Sequence, residues 1–442
     1  MDRNAAERQE VYAWGRLAPR AHLVVPASFG DEMAAAIRAT GKRPLLCRGL
    51  GRSYGDVALN GGGYLLDTTR ADHFLSADWA TGLIRAEAGL SLDELLRACV
   101  PRGWFLPVTP GTKFVTLGGA VANDVHGKNQ ESAGTLGCHV RRIGLARSSG
   151  DVIELSPERE EPLFAATIGG LGLTGVILWV EVQLAPISSA QVEVERLAMA
   201  DLEDFFRLSA ESGEWPYTVA WVDSLARGRA LGRGLFIRAR HREGGPLVSH
   251  GVPRFAAPHA ARHLLNSKTV ALFNLLYRRR PWATGRRTMH YDRFFYPLDS
   301  LLHWNRLYGP RGFFQHQSVV PMKDAPRTVR RLLELTAESG GPSYLTVLKI
   351  LGDRPSPGLL SFPMPGVTLA LDLANRGETT RRLLGRLADA VVAAGGRLYP
   401  AKDATMSGDA FRTGYPAWRR LEQHRDPALM SDFWRRVIAD VP

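Results

Sequence analysis

RGLGRSYGD, Arg48 to Asp56, and PGTKFVTLGGAVANDVHGKN, Pro110 to Asn129, decide how this chain of 442 residues folds. The apolar run Leu45 to Cys47 ahead of the first segment reads as a strand. Beyond it Gly49, Gly51 and Gly55 let the backbone turn tightly with its amides exposed. Amides turned into such a concavity bind a pyrophosphate without any lysine. The second segment repeats the device at Gly111, Gly118 and Gly119 and adds polar side chains at Asp124, His126, Lys128 and Asn129, within reach of a bound ring. One such segment in a chain with 45 glycines reads as a surface turn. Two in succession read as a dinucleotide cradle.

The length exceeds a single core and fits two domains, each large enough to enclose a ligand. The start, MDRNAAERQEVYAWGR, mixes charges of both signs without an apolar centre, and no stretch reaches the roughly 18 apolar residues of a membrane span, so a cytoplasmic protein is expected. Cys47, Cys99 and Cys138 have no metal-type spacing and cannot all pair, which suits a reducing compartment and predicts no metal site. A net charge of +12 points to an anionic partner: nucleic acid, a membrane surface or a phosphorylated substrate. Aromatic residues are not interleaved with the arginines in a stacking pattern, which argues against nucleic acid. Only seven of the 56 basic residues are lysine, so a lysine stands out here, and burial can lower its pKa as it cannot for arginine.

From about residue 20 to 186, short strands alternate with helices. Within this region Gly170, Gly172 and Gly175 spell GxGxxG, but they follow a predicted helix, LFAATI, and precede a strand, VILWVEVQL. That reverses the order of a nicotinamide-binding fingerprint, which is rejected. After Pro186 longer alternating strands such as FFQHQSVVP, YLTVLKIL and GVTLALDL, with two or three amphipathic helices, predict an antiparallel sheet covered by helices. The tail from RLYPAKD onward is too short to fold alone and is expected to return to the first domain, placing Lys402 at the seam. Between Arg238 and Arg293 stand twelve arginines or lysines against Glu243 and Asp292. A helix within AARHLLNSKTVALFNLLYRRR, with Leu264, Leu265, Val270, Leu272, Phe273 and Leu276 on its apolar side and Arg278 to Arg280 at its end, suits either an anionic membrane surface or an ordinary core helix beside a basic loop.

RGLGRSYGD, PGT with TLGGA, DVHGKN with SAG after it, GLTGVI, WNRLYGP with Gln315 and Gln317, SFPMPG and RLYPAKD, in that order, resemble the decaprenylphosphoryl-ribose 2′-oxidase family. That family lies within the vanillyl-alcohol-oxidase, or PCMH-type, flavoproteins. The resemblance runs from about residue 45 to the C-terminus and is least clear between about 238 and 290. It implies an α+β, two-domain PCMH-type FAD-binding fold: an FAD domain over 1–190, an inserted substrate domain on an antiparallel sheet over 191–396, and a tail over 397–442 completing the FAD domain. The chemistry it implies is FAD-dependent oxidation of the 2′-hydroxyl of a polyprenylphosphoryl-β-D-ribose, the first half of an epimerisation. A separate NAD(P)H-dependent short-chain reductase would complete it, since no second nucleotide fingerprint stands in this chain. Oxidation of a soluble sugar, alditol or aldonolactone is the nearest alternative, and a basic membrane- or nucleic-acid-binding protein without catalysis is another.

Carried onto matching positions, the resemblance implies that Arg48, Gly49, Leu50, Gly51, Arg52, Ser53, Tyr54, Gly55 and Asp56 hold the pyrophosphate. Gly111 and the run Thr116, Leu117, Gly118 and Gly119 complete the cradle. Asn123, Asp124, Val125 and His126 lie beneath the flavin, and Ile177 and Tyr399 touch FAD. Many relatives bind the flavin covalently through a histidine in the first loop. Here Arg52 stands in that place, so FAD is expected to be noncovalent. Lys402 is the first choice for the group that accepts or shares the hydroxyl proton, with His126 polarising flavin or substrate and Tyr54 positioning the ring or sugar. Trp221, Asn305, Arg306, Gln315, Gln317 and Lys349 match pocket positions. The two glutamines can share one face of a strand, and Lys349, too costly to bury unpaired, is expected to meet phosphate or face the cavity. Mycobacterial members carry cysteine, tyrosine and asparagine where Ala370, His316 and Thr368 stand, which bears on the pocket floor.

Overall fold

The computed structural model describes residues 6–252, 255–258, 267–279, 283–341 and 343–439. Leu264, Leu265 and Arg280 of the expected amphipathic helix lie outside them.

The first glycine loop springs from a small sheet of four strands in the order Glu7–Val11, Arg20–Pro26, Tyr64–Asp67, Leu45–Arg48. The last three are parallel to one another, and Leu45, Leu46, Leu65 and Leu66 are buried, which is why these strands read as continuous apolar runs. A second, antiparallel sheet follows in the order Phe74–Asp78, Leu83–Glu87, Val176–Gln183, Val140–Ala146, Val152–Leu155. The helix Leu92–Cys99 packs against this half and starts at a capping box in which Ser91 and Glu94 satisfy each other's backbone amides. Glu7–Val11 and Phe74–Asp78 have no counterpart among the strands expected from the sequence. Their residues are exposed almost throughout, so no apolar alternation marks them.

Among the described residues after Pro186, eight strands form an antiparallel sheet, in the order Gly285–His290, Gln191–Met199, Gly234–His241, Tyr217–Val222, Thr346–Leu351, Gly366–Ala374, Phe313–Pro321, Arg397–Leu398. Helices Leu202–Ala210, Ala325–Glu338 and Glu378–Ala393 supply Phe205, Val329, Leu332, Leu383 and Leu387 to a core that also takes Leu348, Leu369, Leu371 and Leu373 from the strands. Successive strand residues face opposite ways, so the partners of those leucines emerge on the other side. Lys349 stands opposite Thr368, Gln317 opposite Ala370, and Gln315 opposite Asp372. This second face roofs the site.

The tail leaves the large sheet after Arg397–Leu398 and runs back over the first glycine loop. Leu429 bridges Leu45, the Asp432 amide donates to the Leu59 carbonyl, and Arg436 pairs with both Asp56 and Asp403.

Candidate active site

The two glycine segments close on each other for want of side chains. A Cβ on Gly49 would stand 2.2 Å from Thr116 Oγ1, and one on Gly118 would stand 2.7 Å from Ala88 Cβ. Thr116 is itself committed, accepting from the Gly119 amide at the start of helix Leu117–Ala122. Gly51 takes a φ of 64°, the left-handed region. Between the segments and the roof lies a cavity of about 310 Å³.

Most of the expected site residues line it. From the first loop these are Arg48, Gly49, Leu50, Gly51, Arg52, Ser53 and Tyr54; from the second, Gly111, Thr116, Gly118, Gly119, Asn123, Val125 and His126. Ile177 and Tyr399 close the ends, and Gln315, Gln317, Lys349 and Lys402 face in from above. The residues fit a flavin dinucleotide on the structure's own terms. The cradle is one that side chains would fill, and the buried atoms His126 Nδ1 and Asn123 Oδ1 have no hydrogen-bond partner.

Seven expected residues lie behind the wall instead. Gly55 is pressed under the tail, where a Cβ would meet the Asp403 carbonyl oxygen at 1.6 Å. Asp56 is held by Arg436, and Leu117 is core. Asp124 is buried, accepting from Ser361 Oγ at 2.5 Å and from the Gly137 amide. Trp221 packs on Tyr277 with ring centroids 4.8 Å apart and donates to the Tyr344 carbonyl. Asn305 donates to the Trp14 carbonyl, and neither it nor Arg306 reaches the lining. Of the departures from the mycobacterial pattern, Thr368 and Ala370 line the cavity, while His316 is turned away and bonds Ser318 Oγ at 3.0 Å.

Two arginines of the first loop are spent on the protein. Arg48 donates to the carbonyls of Tyr12 and Ala58, and Arg52 lies over the Trp14 ring at 4.3 Å while donating to the Leu50 carbonyl. The lysines are different. Lys402 Nζ sits 4.1 Å from the centre of the Tyr54 ring, and Lys349 Nζ donates to the Gly127 carbonyl at 3.3 Å. Burial is the main cause that lowers Lys402 to about 8 and Lys349 to about 7; neighbouring Lys128 and Lys402 push Lys349 further down. His126, packed on Phe362 and Tyr399 and 3.1 Å from the Gln317 amide nitrogen, is held neutral by burial and by the charges of Lys349 and Lys402. The Tyr54 phenol is pushed well above its usual range by burial and stays protonated. The cavity therefore joins a backbone cradle to a roof bearing two labile ammonium groups, amide side chains and a neutral imidazole.

Sequence reasoning passed over several participants. Leu171, Gly172 and Gly175 line the cavity although their motif is no nucleotide fingerprint: they follow helix Glu161–Thr167 and precede strand Val176–Gln183. Asp299 also lines it, accepting from the Lys113 amide, in a segment with no motif around it. Asp372, a lone carboxylate in the apolar strand GVTLALDLA, lies behind the lining, where Gln315 donates to it at 2.5 Å.

Residues 21–156 match the family model described as an FAD binding domain. The chain is 34% identical over 450 residues to decaprenylphosphoryl-beta-D-ribose oxidase of Mycolicibacterium smegmatis, covering 97% of each. It is 32% identical to an uncharacterized Streptomyces coelicolor protein, over 79% of this chain and the whole of the other. L-gulonolactone oxidase of Scyliorhinus torazame is 30% identical over 31% of each chain.

Proposed function

The chain belongs to the family of decaprenylphosphoryl-β-D-ribose oxidase and is an FAD-dependent oxidoreductase, and from that premise we propose that it oxidises the 2′-hydroxyl of a polyprenylphosphoryl-β-D-ribose to the 2′-ketone. The observation that carries this reading is the pair Lys349 and Lys402 in one cavity roof, with depressed pKa values and, for Lys349, no carboxylate partner among its hydrogen bonds. A phosphodiester anion offset from a sugar hydroxyl suits both at once. Lys349 meets the phosphate, Lys402 takes the hydroxyl proton, and Gln315 and Gln317 hold the sugar. His126 fixes Gln317 and, being neutral, adds no charge against the ring.

FAD, when bound in the cradle of the two glycine segments, supplies the acceptor for the carbinol hydride. The cradle residues bind and orient it through backbone amides, and the roof excludes water. We assign the cofactor as noncovalent because Arg52 stands where relatives carry the attaching histidine. Acid or detergent denaturation of the loaded protein releases all of the flavin into the filtrate; yellow colour retained on the chain would refute this assignment. The proposed division of labour places the domain boundaries near residues 190 and 396. Reduction of the ketone falls to a separate NAD(P)H-dependent reductase.

Among the described residues no helix is long and apolar enough to cross a membrane. The lipid-linked substrate nonetheless suits peripheral contact with one. Phe255 is 73% exposed, and its strand Phe255–Ala256 pairs with Leu301–Leu302, which lines the cavity. Helix Ser267–Arg279 exposes Leu272, Phe273, Leu275 and Leu276, so apolar surface is present both on this helix and beside the cavity wall, in the basic region of the chain.

The nearest rival keeps the flavin and changes the substrate to a soluble sugar, alditol or aldonolactone. Anaerobic mixing of the loaded enzyme with decaprenylphosphoryl-ribose bleaches the flavin, whereas free pentoses, alditols and lactones do not. Bleaching by the free compounds alone would overturn the assignment.

A further inference from the structure

We infer that Asp299 determines how the substrate sugar is seated: its carboxylate, the only one among the described residues that line the cavity, accepts from sugar hydroxyls that are not oxidised and turns the phosphate away from itself. The inference rests on the oxidation proposed above, which makes the ligand a sugar phosphate.

Asp299 lies in the stretch 298–304, which otherwise presents mainly apolar side chains to the cavity, among them Leu298, Leu301 and Leu302. It is 3% exposed, and its Oδ2 accepts from the Lys113 amide at 2.8 Å. The ammonium of that lysine goes elsewhere: Lys113 Nζ meets Asp292 at 2.5 Å, with Asp93 at 4.0 Å. Arg52, the other cation that acts on Asp299, lies over the Trp14 ring and donates to the Leu50 carbonyl. Among the described residues no ion pair reaches Asp299. Burial raises it above the usual carboxylate range, while the Lys113 amide and the Thr112 hydroxyl pull the other way. An ionised carboxylate has about four acceptor sites, so these two donors leave about two for a ligand. Asparagine would hold the Lys113 amide without the cost of a buried charge. The fold therefore gives no reason for an acid here, and the cavity does.

The other charged groups of the lining, Arg48, Arg52, Lys349 and Lys402, are all basic. They attract a phosphate without deciding which end of a sugar phosphate leads. A single carboxylate decides it, because it repels the phosphate and accepts from hydroxyls. With Lys349 on the phosphate and Lys402 on the 2-hydroxyl, the donors left on the ribose are its 3- and 5-hydroxyls. A buried charged acceptor rejects an analogue that lacks the matching hydroxyl, since the acceptor is then left unpaired. The FAD pyrophosphate is of like charge and cannot be its partner. The hydroxyls of the FAD side chain are the competing donors, and FAD affinity tells the two apart.

A binding cycle tests this without any oxidation. Decaprenylphosphoryl-2-deoxyribose lacks the reacting hydroxyl, and its binding to the FAD-loaded protein is read from the change in flavin absorption. Asp299→Asn, which keeps an acceptor for the Lys113 amide, weakens this ligand roughly 10- to 100-fold, the range for a hydrogen bond to a charged group. Asp299→Ser, a smaller neutral acceptor, behaves alike. Removing the 3- or the 5-hydroxyl from the ligand costs the wild type a loss of the same size at the hydroxyl that Asp299 holds, and costs the variants nothing further there. Both variants keep wild-type affinity for FAD. Losses that add in full would make Asp299 a support for the Lys113 turn and overturn the inference. So would a wild type indifferent to both hydroxyls, or a fall in FAD affinity that matches or exceeds the loss of ligand. No binding of any ligand of the series by the wild type overturns this inference and the functional reading together. If the expected pattern holds but decaprenylphosphoryl-ribose fails to bleach the wild-type flavin, the proposed oxidation falls and the assignment of Asp299 to the sugar stands.

Discussion

Lys349 shows how a single residue couples ligand and stability. In an unfolded chain a lysine titrates near 10.4, whereas here burial and the neighbouring cations bring Lys349 to about 7. Between those values the unfolded chain holds more protons than the folded one, so stability rises with pH across that window. The penalty is fully present below about pH 7 and fades as the pH approaches the unfolded value. Lys128 and Lys402 act in the same direction, while Asp372, raised to about 7, has completed its own change below the window. Lys349→Met therefore flattens the rise in melting temperature between about pH 7 and about pH 10 and stabilises the substrate-free protein at neutral pH by ~1–2 kcal/mol. The same variant weakens binding of the phosphorylated substrate by roughly 10- to 100-fold, the range for a lost charge-assisted hydrogen bond. Thermal melts across the pH range and a titration of flavin bleaching check the two halves. An unchanged slope would place Lys349 in contact with water. The scarcity of lysine in an arginine-rich chain marked this residue in advance. Nothing in the sequence marked Asp299, because its place on the cavity wall depends on a segment that carries no motif.

At the scale of elements, what the sequence revealed tracks how far burial imprints a period. Strands such as Phe313–Pro321 and Gly366–Ala374 were legible because alternate side chains enter a helix-covered core, and that alternation also put Gln315 and Gln317 on one face. The exposed strands Glu7–Val11 and Phe74–Asp78 left no pattern to read. Helix Ser267–Arg279 is the intermediate case. Its apolar residues were visible, but Val270 is 1% exposed whereas Leu272 and Leu276 are 56% and 61% exposed, so a stripe drawn through all three mixes two faces. The exposed pair is where a membrane contact belongs. Leu272→Glu with Leu276→Glu changes folding stability by only about 0.5 kcal/mol, as expected for surface positions, yet abolishes sedimentation with vesicles containing anionic lipid. Wild-type binding weakens as salt is raised, because the basic residues of this region contribute through long-range attraction. Undiminished sedimentation of the double variant would move the contact to another surface.

For the whole molecule, the tail binds the two halves of the site into one device. It places Tyr399 and Lys402 beside the strand Phe313–Pro321, where the Tyr399 amide donates to the Gln317 carbonyl, and then crosses the first glycine loop. The crossing is held by Arg436, whose guanidinium meets Asp56 at 2.8 Å on the loop side and Asp403 at 3.0 Å on the tail side. Asp403 in turn accepts from the amides of Thr405 and Met406, closing the turn that follows Lys402. Arg436→Gln leaves these two carboxylates facing each other without a cation, which costs about 3–5 kcal/mol for a buried pair and less here because Arg436 and Asp56 are partly open to solvent. Since loop and lysine are displaced together, FAD affinity and the rate of flavin reduction fall together. FAD at about 100 times its dissociation constant stabilises the wild type by about 2.7 kcal/mol, and this increment shrinks in the variant at the same FAD concentration. Melts with and without added FAD measure it directly. A variant that loses intrinsic stability yet keeps the full FAD increment and the wild-type reduction rate would show that the crossing only staples the fold. Loss of both places the tail within the catalytic geometry itself.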